Sequence, residues 1–114
     1  MILDQLKQIV EHALEELKAE DIKWIDVRDK TTITDLMVIA TGRSTRHVKA
    51  MADNIVEQVK NAQGQVLGME GEAAADWILV DLGDVVAHIM LAETRDFYAI
   101  EKLWTVERNE AASN

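Results

Sequence analysis

The sequence predicts an α/β fold, a single mixed β-sheet of about five strands flanked by helices, on three observations. Apolar residues switch between helical and strand spacing in the order helix, two strands, helix, two or three strands, helix. Leu36-Met37-Val38-Ile39-Ala40 is a short unbroken apolar run between Asp35 and Gly42, the signature of a strand covered on both faces. Asp81-Leu82-Gly83-Asp84 separates two strand-like runs and has the glycine and aspartates that a tight hairpin needs.

The elements follow in chain order. Leu3, Leu6, Val10, Ala13, Leu14 and Leu17 recur at spacings of three and four, opposite Lys7, Glu11, Glu15 and Lys18, so a first amphipathic helix is expected to end near Asp21. Ile22 to Arg28 reads as a strand, and Asp29 to Thr32 as a polar turn. After the Leu36–Ala40 strand, Ser44 is a good N-cap for a helix from about Thr45 to Ala62, which buries Val48, Met51, Ala52, Ile55 and Val59. Gly64 stands where a helix C-terminal glycine belongs. Val66 to Met69 is a short strand, Ala73 to Ala75 is ambiguous, and Trp77–Val80 and Val85–Leu91 are the hairpin strands. Thr94 is expected to cap a last helix with Phe97, Ile100, Leu103 and Trp104 on its buried side. The 114 residues suit one domain, assigned to residues 1–104, with 105–114 a flexible C-terminal tail.

Composition narrows the function. Apolar residues are 48% and charged residues 29%, as in soluble globular proteins. No apolar run nears the roughly 20 residues of a membrane span, and Asp4 interrupts any secretory leader, so no membrane association is expected. The absence of cysteine excludes disulfides and thiolate metal sites and fits a reducing cytoplasm. Twelve basic against 21 acidic residues leave a net charge of −9, which opposes binding to a phosphate backbone and favours a basic partner.

Two stretches carry candidate chemistry. Gly42-Arg43-Ser44-Thr45-Arg46-His47 joins a strand to a helix start, where free amides with Arg43, Ser44 and Arg46 suit an anion. The same residues also read as an ordinary capped helix start with solvated arginines. Nucleotidyl transfer would further need paired carboxylates on a following strand to hold Mg²⁺. Asp53 falls inside the helix pattern and Asp81 with Asp84 in a turn, so the catalytic reading is the weaker one. His12, His47 and His88 show no metal-ligand spacing, and no metal site is expected. In the hairpin both faces are rich in large apolar groups. Helices could cover both. Alternatively some of Trp77, Leu82, Met90 and Tyr98 stay exposed as an anchor patch rimmed by Asp76, Asp81 and Glu93.

Three stretches taken together are specific: Asp35 to Val48, Asp76 to His88, and Phe97-Tyr98-Ala99-Ile100-Glu101-Lys102-Leu103-Trp104, with Gly68-Met69-Glu70-Gly71 between the first two. In this order they resemble the ribosomal silencing factor family (RsfS, also called Iojap), over nearly the whole chain up to Trp104. The resemblance implies a nucleotidyltransferase-like fold without the catalytic carboxylates, no enzymatic activity and no cofactor. It implies a cytoplasmic translational repressor that binds the large ribosomal subunit through its protein fourteen, with little direct RNA contact. The docked factor would block joining with the small subunit when nutrients are limiting. The implied contact residues are Trp77, Leu82, His88, Met90 and Tyr98, with Asp76, Asp81 and Lys102 beside them. The chain itself would be a monomer or a homodimer. The alternative is a nucleotide-binding or nucleotidyltransferase-type enzyme using the Gly42–His47 loop.

Overall fold

The computed structural model describes residues 1–104; the expected tail, 105–114, lies outside the described residues. The elements are α1 (Leu3–Glu16), β1 (Glu20–Asp26), β2 (Leu36–Gly42), α2 (Thr45–Asn61), β3 (Gly68–Glu70), β4 (Trp77–Asp81), β5 (Val85–Leu91) and α3 (Ala92–Tyr98). The strands form one mixed sheet of order β1-β2-β5-β4-β3. Only β2 and β5 run parallel, Leu36 opposite Val85 through Gly42 opposite Leu91. The other pairs are antiparallel. The strand with the unbroken apolar run is therefore central, where both of its faces are covered.

The pleat divides the core into two layers. Val38, Ala40, Ile78, Val80, Val85, Ala87 and Ile89 point to one face and pack with Leu6, Val10, Leu14, Val48, Met51, Ile55 and Val59 of α1 and α2. Ile25, Val27, Met37, Ile39 and Met90 point to the other, where Trp77, Ile100 and Trp104 lie against them. Two helices thus cover the first face. The second has only α3 and one further helical stretch, 100–104, and that cover is incomplete.

Helix ends depart most from expectation. The apolar spacing carries on to Leu17, yet α1 stops at Glu16 because Lys18 adopts a left-handed conformation (φ 60°). Lys18 N–H then donates to the Glu15 carbonyl and Ala19 N–H to that of Leu14. α2 ends in the same way: Gln63 (φ 68°) donates to Lys60, and Gly64 donates to Val59 over 2.8 Å. Gly64 is therefore one position beyond the expected left-handed site. A Cβ there would lie 2.7 Å from Val59 Cγ1, so the glycine serves close packing. β1 starts two residues earlier than expected, with a bulge near Asp21 (φ 48°).

The last helix also differs. α3 follows β5 without a loop, its N-cap is Leu91, and Thr94 lies buried inside it rather than capping it. Ala99 (φ 47°) breaks the helical phase. Ile100 and Trp104, four apart beyond the break, reach the sheet, whereas Phe97 (80% exposed) and Leu103 (62%) face outward. The expected buried position of those two residues is corrected by that kink.

Candidate docking surface

β4 and β5 build the open part of the second face. Alternation places Trp77, Leu79 and Asp81 of β4 on it with Val86, His88 and Met90 of β5. Leu79 and Val86 remain half-buried because no helix crosses them. At the β4 start, Gly71 fixes the approach of the chain: it has φ +92°, and a Cβ would sit 2.1 Å from the Trp77 carbonyl oxygen.

The chain contains three tryptophans, one tyrosine and one phenylalanine. Trp77, Tyr98 and Phe97 meet here, the last two supplied by the exposed end of α3. The Trp77 and Tyr98 ring centroids are 5.0 Å apart with a 49° tilt, and Phe97 meets Tyr98 edge-on at 4.9 Å. Behind them, Trp77 Nε1–H donates to His88 Nδ1 over 3.0 Å. The four rings form a row that runs outward, from buried His88 through half-buried Trp77 to exposed Tyr98 and Phe97.

Of the expected contact residues, the structure brings Trp77 and Tyr98 together at the surface, with exposed Asp76 next to Trp77 in the chain. Lys102 is exposed on the stretch beyond Ala99. Asp81 is at the far end of β4, about 13 Å along the strand, where its Oδ1 accepts the Gly83 N–H and shapes the hairpin. Three of the residues that the resemblance implies as contacts are buried. Met90 is fully buried in the second-face core because it lies under Trp77, its cross-strand neighbour. Leu82 is 5% exposed and belongs to the opposite core layer, bordering a hollow with Met1, Leu6 and Gly64. His88 is 8% exposed, and burial pushes its pKa down to about 4, so it is neutral at pH 7.

Two features were missed. Phe97 looked like a core residue because helical phase was extrapolated through Ala99. Arg95 carried no local signal at all. It is buried and donates from Nη1 to the Asp21 carbonyl (2.7 Å) and to Thr41 Oγ1 (2.8 Å), and from Nε and Nη2 to both Glu101 carboxylate oxygens. This network ties α3 and the 100–104 stretch to β1 and β2. The Arg95 hydrogen bond holds the Glu101 carboxyl below its ordinary pKa.

The Gly42–His47 loop is otherwise engaged. Ser44 is the N-cap, as expected, and its Oγ accepts the His47 N–H. Arg43 N–H donates to His47 Nδ1, and His47 Nε2–H donates to the Leu17 carbonyl, pinning the start of α2 to the end of α1. Gly42 makes room for Val48 Cγ2 and Met51 Cε, which a Cβ would approach to 2.7 and 2.9 Å. Arg43 and Arg46 are exposed, and the hollow beside Arg43 and Ser44 is also lined by Glu20 and Glu93. Two loop donors and the Ser44 hydroxyl are thus committed to the fold, and two carboxylates face any anion. Among the described residues no group of three His, Asp or Glu is placed to hold a metal ion, and no helix is long and apolar enough to cross a membrane.

Fold and surface together define a small α/β domain with one helix-covered sheet face and one face left partly open around an aromatic row. Residues 2–114 match the family described as ribosomal silencing factor during starvation, RsfS. The chain belongs to that family. It is 48% identical to the ribosomal silencing factor RsfS of Haemophilus influenzae over 87% of this chain and 97% of that one. A crystal structure of a Chromobacterium violaceum protein superposes with a TM-score of 0.90 at 40% identity, covering 92% of this chain and 88% of that one. A Mus musculus relative named mitochondrial assembly of ribosomal large subunit protein 1 is 42% identical over 82% of this chain, which spans 42% of it.

Proposed function

We propose that this protein docks on the large ribosomal subunit, through its protein fourteen, and sterically prevents the small subunit from joining, so repressing translation when nutrients are limiting. One observation carries the reading: the gathering of Trp77, Tyr98 and Phe97 on the sheet face that the helices leave open. Large rings held in place lose little entropy when a partner covers them, and such rings are the usual anchors of protein interfaces. Exposed Asp76, Glu93 and Asp96 stand next to or on the elements that carry the rings. With a net charge of −9 they favour a basic ribosomal protein and disfavour bare RNA. Silencing needs no catalysis and no cofactor in this account, since the docked domain acts by occupying space. The cytoplasm is its place of action.

Sedimentation with separated ribosomal subunits tests the proposal. The protein should pellet with the large subunit alone. Pelleting with the small subunit, or with neither, would overturn it. The enzymatic alternative is disfavoured, because the loop it needs caps α2 and anchors it to α1. Heat on titration with ATP, CTP and Mg²⁺ would reinstate it.

A further inference from the structure

We propose that His88 is the positioning residue of the docking surface: its Nδ1 holds the Trp77 indole in the orientation that stacks on Tyr98 and presents the ring to a partner. The inference rests on the docking reading and adds to it a division of labour between two residues.

A tryptophan on an open sheet face has several accessible rotamers, and apolar neighbours restrain it weakly. Trp77 is held from two sides. Its Nε1–H donates to His88 Nδ1 at 3.0 Å, and its ring meets Tyr98 at 5.0 Å. The geometry requires no distortion: Trp77 pairs with Met90, so His88 is its diagonal neighbour two residues along β5 on the same face.

His88 itself is too buried to contribute much contact area, at 8% exposure. An imidazole is also a costly residue for that site, since the neighbouring second-face positions are filled by Ile25, Met37, Ile39 and Met90. An acceptor for the indole accounts for it. Accepting at Nδ1 leaves the ring proton on Nε2, and burial keeps the ring in that neutral form at pH 7. The contrast with Trp24 is informative: its Nε1 is buried without a hydrogen-bond partner among the described residues, so this chain does not equip every indole with an acceptor. Trp77, which does have an acceptor, sits in the aromatic row.

The test is a double-mutant cycle on the full chain, read as affinity for purified large ribosomal subunits and as the Trp77 indole N–H resonance of the free protein. His88→Leu removes the acceptor, whereas His88→Asn returns an oxygen near the Nδ1 position. Leucine should weaken binding about fivefold, in the range of one lost hydrogen bond, and asparagine should restore most of it. In a Trp77→Phe background, which has no indole N–H, His88→Leu should cause no further loss. An equal loss in that background would make His88 a direct contact and overturn the proposal. So would wild-type affinity for His88→Leu when Trp77→Ala binds weakly. Unaltered affinity on Trp77→Ala would instead overturn the docking surface as a whole. Should the leucine variant not fold, hydrogen exchange of the wild-type Trp77 indole decides: protection supports the latch, and exchange at the free-indole rate removes it.

Discussion

The buried imidazole makes the stability of this domain depend on pH in a calculable way. His88 has an ordinary pKa of 6.5 in the unfolded chain and about 4 in the fold, because burial penalises its charged form. Between those values the unfolded state binds a proton that the native state refuses, so acid favours unfolding. The contribution is fully present above pH 6.5, declines as pH falls, and levels off below about 4. At roughly 1.4 kcal/mol per tenfold difference in proton affinity, the whole drop is about 3 kcal/mol, a large part of a small domain's stability. Urea denaturation of the wild type and of His88→Asn, at several pH values from 7 to 4.5, isolates this contribution. The variant has its own constant cost, but its stability should fall less steeply across the window. Glu101 acts in the same sense and lower down: its pKa is depressed by Arg95, so its contribution is present above the ordinary value of 4.5 and declines as pH falls below it. Parallel pH profiles for wild type and variant would refute the neutral, buried imidazole and the hydrogen bond it accepts.

Other outcomes follow from the same geometry. Gln63→Gly should raise stability by about 1 kcal/mol, because Gln63 occupies a left-handed site that glycine adopts without a Cβ clash; Gly64→Ala should lower it, with its Cβ pressed against Val59. Thermal denaturation distinguishes the two. Arg95→Ala should cost about 3 kcal/mol by removing the hydrogen bonds of its buried guanidinium to the Asp21 carbonyl, Thr41 and Glu101, and should loosen the 100–104 stretch against the sheet, visible as faster amide exchange there. Arg43→Ala should sediment with the large subunit much as the wild type does, since Arg43 is exposed and none of the rings lines the hollow beside it. Loss of binding would move the interface to the Gly42–His47 loop.

What could be read from the sequence was what local chemistry encodes. The β2 run, the Ser44 cap, the α2 core positions and the Asp81–Asp84 hairpin all announce themselves through period, capping residue or turn glycine. The end of α1 did not, because Lys18 adopts left-handed geometry without the glycine that signals it; α2 ends within a residue of expectation, although Gln63 and not Gly64 takes the left-handed site. Ala99 hides the break that turns Phe97 outward for the same reason. Within the docking surface, strand alternation groups Trp77 with Leu79 on β4 and His88 with Met90 on β5, but gives neither the register between the strands nor the depth of each residue. Depth depends on cover supplied by Ile100 and Trp104 from beyond a kink. Leu82 was misjudged because a hairpin tip normally faces solvent, whereas here it reaches α1 and the end of α2. The Arg95 network joins positions 54 and 74 residues apart and has no pattern in the chain.

Subunit joining, followed by light scattering as small subunits are mixed with large subunits preincubated with protein, bears most directly on the central claim. Saturating wild-type protein should suppress the joining signal, and Trp77→Ala should need about thirtyfold more protein for the same suppression, the equivalent of a 2 kcal/mol interface anchor. Joining at the uninhibited rate under saturating wild-type protein, or suppression by Trp77→Ala at wild-type concentration, would contradict it.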